Sequence, residues 1–252
     1  LRQSAKQDEE LTSFSEFQVL EYFLSFIIPR KDTNPIAHDL IEAFGSLYGV
    51  FQATEEELYS IKGMTQNAAC FIADFLPISR KIQCSCFASQ KYVSRLSDAV
   101  NVLRPYFYGR NSEFIYCLAL DLNDRLLQIC KISDGEADSV VINNNKILAL
   151  VTRTKAKKII LAHNHPAGNI KPSDSDLQAT RMLNVLLAGV NARLSDHIIF
   201  SGDEYFSFYE SDLLACFSDD NSHYANEQRR KKRSEGIYME DEKPSEETLG
   251  EE

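Results

Sequence analysis

Residues 157–189, KKIILAHNHPAGNIKPSDSDLQATRMLNVLLAG, constrain the fold more than any other stretch of the chain. The apolar run KKIILAHNH reads as a strand, and Pro166 and Gly168 then turn the chain sharply away. Alternate residues of a strand share a face, so His163 and His165 point to one side. Ser173 is placed to cap the helix that follows, which Gly189 stops. Asp176, three residues after the cap, projects from the first turn, and that turn can fold back over the strand end to set a carboxylate beside two imidazoles. Two neutral imidazoles and a carboxylate suit Zn²⁺ and leave a fourth position for water, whose pKa zinc would lower to about 7. Taken alone, a His-x-His pair is more often two ordinary polar residues where a strand meets a loop.

The rest of the chain supplies the setting for this stretch. Residues 11–83 read as helical. SEFQVLEYFLSFI has Ser15 as its N-cap; NPIAHDLIEAFGS opens at Asn34 with Pro35 at the first helical position and ends near Gly45; TEEELYSI carries a Thr54/Glu57 capping box; a turn at Gly63 leads into a further helix. The periodicity fails around QCSCFASQ, which is read as a linker. Beyond it, LSDAVNVLRPYF is expected as a helix cut at Pro105. EFIYCLALDL and LLQICKI form a hairpin, ADSVVI is a third strand, NKILALVTRT a helix, ARLSDHIIFSG and EYFSFYE later strands, and SDLLACF a short final helix. Strands alternating with helices predict an α/β or α+β sandwich with one sheet between helices. The expected organisation is a flexible stretch over residues 1–12, a helical unit over 13–85, the sheet-containing domain over 94–216 and a disordered charged tail over 217–252. That tail runs from a basic block, EQRRKKRSEG, into an acidic one, MEDEKPSEETLGEE.

Charge and cysteine usage narrow the function classes. The net charge is −10. Residues 1–90 carry 7 Lys/Arg against 12 Asp/Glu, and residues 91–216 carry 14 of each. No segment has the basic excess of a duplex-coating protein, so any nucleic-acid contact is local. The longest nearly apolar run, VLEYFLSFII, contains Glu21 and is too short to span a bilayer. The N-terminal LRQSAKQDEE lacks the layout of a secretory signal, although a chain beginning at Leu1 leaves room for a removed leader. The six cysteines form no CxxC pair and several sit in apolar runs, which points to a reducing, cytoplasmic setting.

The spacing H-x-H-x7-S-x2-D, carried by His163, His165, Ser173 and Asp176, resembles the JAMM/MPN metalloproteases. LAHNHPAGNIKPSDSD together with LSDHIIFSGDEYFSFYESDLL is similar to the bacterial RadC-type (UPF0758) MPN domain across roughly residues 95–216, and EAFGSLYGVF and IKGMTQNAACFIADF extend the likeness into the helical unit. The resemblance implies an MPN-type mixed sheet flanked by helices, preceded by a small unit like a helix-hairpin-helix. It also implies zinc held by His163, His165 and Asp176, Glu113 as general base, Ser173 as donor to an oxyanion, and a peptide or isopeptide bond in a protein or peptide substrate. His197 is read as a core residue or one standing behind the ligands. Asn164 and Asp174 are read as loop residues, and His38 and His223 are assigned no chemistry. Two positions depart from the family pattern. Asn144-Asn145-Lys146 stands where Pro-Arg-Glu is usual, and Gly63-Met64-Thr65 stands where a Gly-x-Gly hairpin would grip a phosphate. Thr65 is poor at the torsions and close approach that a second glycine allows. The helical unit is therefore expected to pack or dock rather than to bind DNA.

Overall fold

The structure, a computed structural model, describes residues 8, 11–87, 89–134 and 142–217. Most of the expected N-terminal stretch (residues 1–7, 9 and 10), the expected tail from residue 218, and the expected strand ADSVVI up to Val141 lie outside the described residues.

Among the described residues, five helices build the N-terminal unit: α1 (Glu16–Ile27), α2 (Asn34–Phe44), α3 (Leu47–Gln52), α4 (Glu55–Ser60) and α5 (Gln66–Cys86). Their starts follow local chemistry. Ser15 donates its backbone N–H to Gln18 at 2.9 Å, and Thr54 and Glu57 make the expected capping box. Gly45 ends α2 with φ +80°, and Gly63 turns the chain at φ +92°. The cap of α2 is Thr33 rather than Asn34, whose side chain instead donates to Glu21 at 2.8 Å. Leu20, Leu24, Leu40, Val50, Leu58 and Ile72 are fully buried in one cluster, each contributing about 1.5–3 kcal/mol of hydrophobic stabilisation. Helix α5 runs on through Cys86, into the stretch expected as linker. The chain is then tied to the sheet, where Val93 donates to the Asp124 carbonyl and Leu126 to that of Lys91, each at 2.8 Å.

The remaining elements are α6 (Leu96–Phe107), β1 (Phe114–Leu120), β2 (Leu126–Asp134), α7 (Asn144–Thr154), β3 (Lys158–Asn164), α8 (Asp174–Ala188), β4 (Arg193–Ser201) and β5 (Glu204–Ser207), with a helical turn at 213–217. Among the described residues the sheet order is β2-β1-β3-β4-β5, with β3–β4 parallel and the other pairs antiparallel. Odd residues of β1 and β3, Ile115, Cys117, Ala119, Ile159 and Leu161, pack with α7 and α8; even residues, Tyr116, Leu118, Ile160 and Ala162, pack under α6. The result is the expected mixed sheet between helical layers. Helix α6 is not cut at Pro105 but continues to Phe107. A proline in the last turn forfeits a single backbone hydrogen bond there, and Pro105 buries its ring in exchange.

Candidate metal centre

The centre forms where β3 ends. Its odd residues face α8, so His163 continues the line of Ile159 and Leu161 and is 4% exposed. His165 follows just past the strand, held by its backbone N–H to the Phe200 carbonyl at 2.8 Å. Gly168, at φ +93°, reverses the chain, and Ser173 then starts α8. The Ser173 side chain accepts from the Asp176 N–H at 3.2 Å, while the Ser173 N–H and hydroxyl donate to Asp176 Oδ2 at 2.8 and 2.6 Å. This capping box aims the remaining side of the carboxylate at the histidines. His163 Nε2 lies 2.9 Å from His165 Nε2 and 3.2 Å from Asp176 Oδ1, and His165 Nε2 lies 3.5 Å from Asp176 Oδ2. Among the described residues these three form the one cluster of metal-capable side chains.

Glu113 stands immediately before β1. The antiparallel β1–β3 register ends at the Ile115–His163 pair, so Glu113 and His165 both lie just beyond that end, and the Glu113 charge is felt at His165. The two neighbours of Glu113 are fixed by Asn164, whose Oδ1 accepts from the Phe114 N–H at 2.9 Å and whose Nδ2 donates to the Ser112 carbonyl at 3.0 Å. Asn164 is buried, and a role in placing Glu113 replaces the loop role expected for it. Asp174, read as a loop residue, instead opens the first turn of α8, where it is exposed. His38 stacks on Phe17 in the helical unit, and His223 lies outside the described residues.

The electrostatics suit a cation. Hydrogen bonding to Asp176 raises the His165 pKa against the opposing effect of burial, with the Asn169 carbonyl and the Glu113 charge adding to the rise. Burial works against ionisation of Asp176, but hydrogen bonds from His163, His165 and Ser173 overcome it and hold the carboxyl well below the usual carboxylate range.

A model of the RadC-like JAB domain matches residues 93–213. A UPF0758 protein of Fusobacterium nucleatum is 32% identical over 211 residues, covering 81% of this chain and 91% of its own. One of Coprothermobacter proteolyticus is 30% identical over 189 residues, with 73% and 80% covered. One of Burkholderia thailandensis is 26% identical over 199 residues, with 79% and 76% covered. The chain belongs to the RadC (UPF0758) family.

The residues of this RadC-family chain fit a divalent metal by their donor chemistry. His165 Nδ1 contacts the Asn169 carbonyl at 2.5 Å. A carbonyl only accepts, so Nδ1 carries the proton and Nε2 offers its lone pair to the centre. That lone pair, the Asp176 carboxylate and His163 Nε2 converge at 2.9–3.5 Å. Donors about 2.0–2.1 Å from a tetrahedral ion sit about 3.3 Å from one another, close to these spacings. Electron-rich atoms packed this tightly need a proton or a metal cation among them.

A cavity of about 560 Å³ is lined by His165 and Asn164 at the edge of the centre. Tyr48 and Gln83 of the helical unit line one side of it, with Arg104, Arg110 and Phe200 from the sheet unit. A larger cavity, about 870 Å³, opens at the far ends of β3 and β4 around Lys158 and Arg193, away from the metal centre. Lys146, one of the departures from the family pattern, is exposed on the first turn of α7, and other residues line the cavity beside His165. The other departure, Thr65, caps α5 by accepting from the Ala68 N–H, while Lys31 donates to the Gly63 carbonyl at 2.9 Å. No helix among the described residues is long and apolar enough to cross a membrane.

Proposed function

We propose that the chain is a zinc-dependent hydrolase that cleaves a peptide or isopeptide bond in a protein or peptide substrate, with His163, His165 and Asp176 as the metal ligands. The observation that carries this reading is the convergence of two imidazole nitrogens and a carboxylate, with the His165 lone pair turned inward by the Asn169 carbonyl. Zinc in such a site supplies Lewis acidity, which makes water acidic enough to ionise near neutral pH and polarises a carbonyl.

The chain's own groups do the rest. Glu113, just beyond the end of the β1–β3 ladder, accepts the proton of the attacking water and returns it to the leaving amine. Asn164 holds the backbone on both sides of Glu113 and so limits where that carboxylate can reach. The Ser173 hydroxyl serves Asp176 in the resting geometry. Once that carboxylate is committed to a cation, the hydroxyl is freed to donate to a developing oxyanion. The bond class rests on the JAMM/MPN analogy rather than on any residue of this chain.

The test is a panel of peptides and isopeptide-linked conjugates incubated with the zinc-loaded chain and read by mass spectrometry. Cleavage that drops by about 10²–10⁴-fold in Glu113→Gln, with metal content unchanged, is the expected result. Cleavage indifferent to Glu113→Gln would contradict the assignment of the base. Zinc bound without cleavage of any conjugate would turn the reading toward a metal that only ties α8 to β3.

A further inference from the structure

We infer that Thr180 and His197 are positioning residues that decide which nitrogen of His163 faces the metal site. The inference rests on the metal-ligand reading above and concerns a part of the molecule that reading does not use. His163 alone does not determine its own tautomer, because its Nδ1 contacts another histidine, His197 Nε2, at 2.8 Å. Either ring could donate in that pair.

Thr180 resolves the choice. It lies one turn along α8 from Asp176, and its hydroxyl contacts both the Asp176 carbonyl and His197 Nδ1, the latter at 2.7 Å. The carbonyl only accepts, so the single hydroxyl proton goes to it. The hydroxyl oxygen must then accept from His197 Nδ1–H. His197 is fully buried, where a charged ring is costly, and a neutral ring protonated at Nδ1 presents Nε2 as an acceptor. His163 must therefore donate from Nδ1, and in the neutral ring this leaves its Nε2 lone pair directed at His165 and Asp176. Phe208 stacks on His197 with centroids 4.7 Å apart and planes 20° from parallel, which holds the ring in the plane the relay needs. The chain of bonds begins at the backbone of one ligand, Asp176, and ends on the ring of another, His163. The alternative arrangement has a specific cost. Were the His197 proton on Nε2, His163 would accept at Nδ1 and carry its proton on Nε2, where it blocks a metal.

Two measurements on the full chain test this. Side-chain ¹⁵N NMR of the chelator-treated wild type reads the tautomers directly. The expected pattern is a proton on Nδ1 of both His163 and His197, and a proton on Nε2 of His197 would overturn the inference. Zinc affinity, read by competition with a chromophoric chelator, is then compared across Thr180→Val and Thr180→Ser. Valine keeps the volume and removes the hydroxyl, so affinity should fall about 10–100-fold, whereas serine should restore most of it. Equal zinc affinity in wild type and Thr180→Val overturns the positioning role and leaves the metal reading standing. A wild type that binds no zinc defeats the metal reading, and the tautomer pattern still decides the inference. If Thr180→Val does not fold, the wild-type tautomers and the serine variant carry the test.

Discussion

Each donor at the centre is held from behind by a bond that points away from it. The Asn169 carbonyl holds His165, the Ser173 hydroxyl holds Asp176, and Asn164 grips the residues on either side of Glu113. Asn164→Ala should leave the Phe114 N–H and the Ser112 carbonyl without their partner. It should cost about 1–3 kcal/mol in urea unfolding while zinc content stays at the wild-type level; an unfolding midpoint equal to wild type would contradict the bracing role. The histidines also set a pH dependence. The His165 pKa is raised, so its protonated pair with Asp176 stabilises the metal-free fold below about pH 6.5, the ordinary histidine value. That contribution disappears as pH rises through the raised pKa. His197 is shifted down by burial, with the nearby His163 adding to the fall. Its neutral form therefore stabilises above about pH 6.5, and that contribution disappears as pH falls. Melting of the chelated protein should show the alkaline loss in wild type and not in His165→Gln. Zinc should turn that loss into a gain, because it takes only the deprotonated ring. An alkaline loss that survives in His165→Gln would place its origin elsewhere. The convergence of His163, His165 and Asp176 is legible in the sequence because strand parity and one helical turn are local rules. The roles of Asn164 and Thr180 are not, because the partners that give them roles lie 50 and 17 residues away in the chain.

Helix α8 joins secondary structure to chemistry, since its capping residue and its carboxylate are the same pair that the centre uses. Ser173→Ala should therefore do two things at once. It should cost about 0.5–2 kcal/mol of stability through the lost cap, and it should loosen zinc by leaving the Asp176 carboxylate free to swing. Loss of stability with unchanged zinc affinity would show that the cap and the carboxylate's aim are independent. The elements themselves were largely readable. Ser15, Thr54 and Ser173 announce helices, Gly45 and Gly63 turn the chain, and the apolar runs of β1 and β3 are buried strands. Pro105 was misleading, because proline is a breaker by local rules and the cost shrinks in a final turn that is buried anyway. The stretch before the sheet, read as linker from Gln83, is helical as far as Cys86. Helix α5 keeps its backbone bonds through Cys86 although its apolar periodicity has faded.

At the scale of the whole molecule, the two units meet at Gly109. Gln52 donates to its carbonyl at 3.0 Å, and Arg80 reaches the carbonyls of Tyr108 and Gly109 at 3.0 and 3.3 Å. Gly109 adopts φ +62°, and a side chain there would press on Leu76 at 3.0 Å, so the contact favours glycine. This junction brings Tyr48 and Gln83 to the cavity beside His165, a closeness that no local pattern in the sequence could reveal. All of this converges on one claim, that a β-strand end and a helix start together clamp a single metal ion. The direct test is zinc per chain by elemental analysis after purification and dialysis, wild type beside Asp176→Ala. The account predicts close to one zinc per chain in the wild type and a large loss in the variant, with matching far-UV circular dichroism to show that both are folded. A wild type without zinc after refolding in its presence, or a variant that holds it as well, would contradict the account.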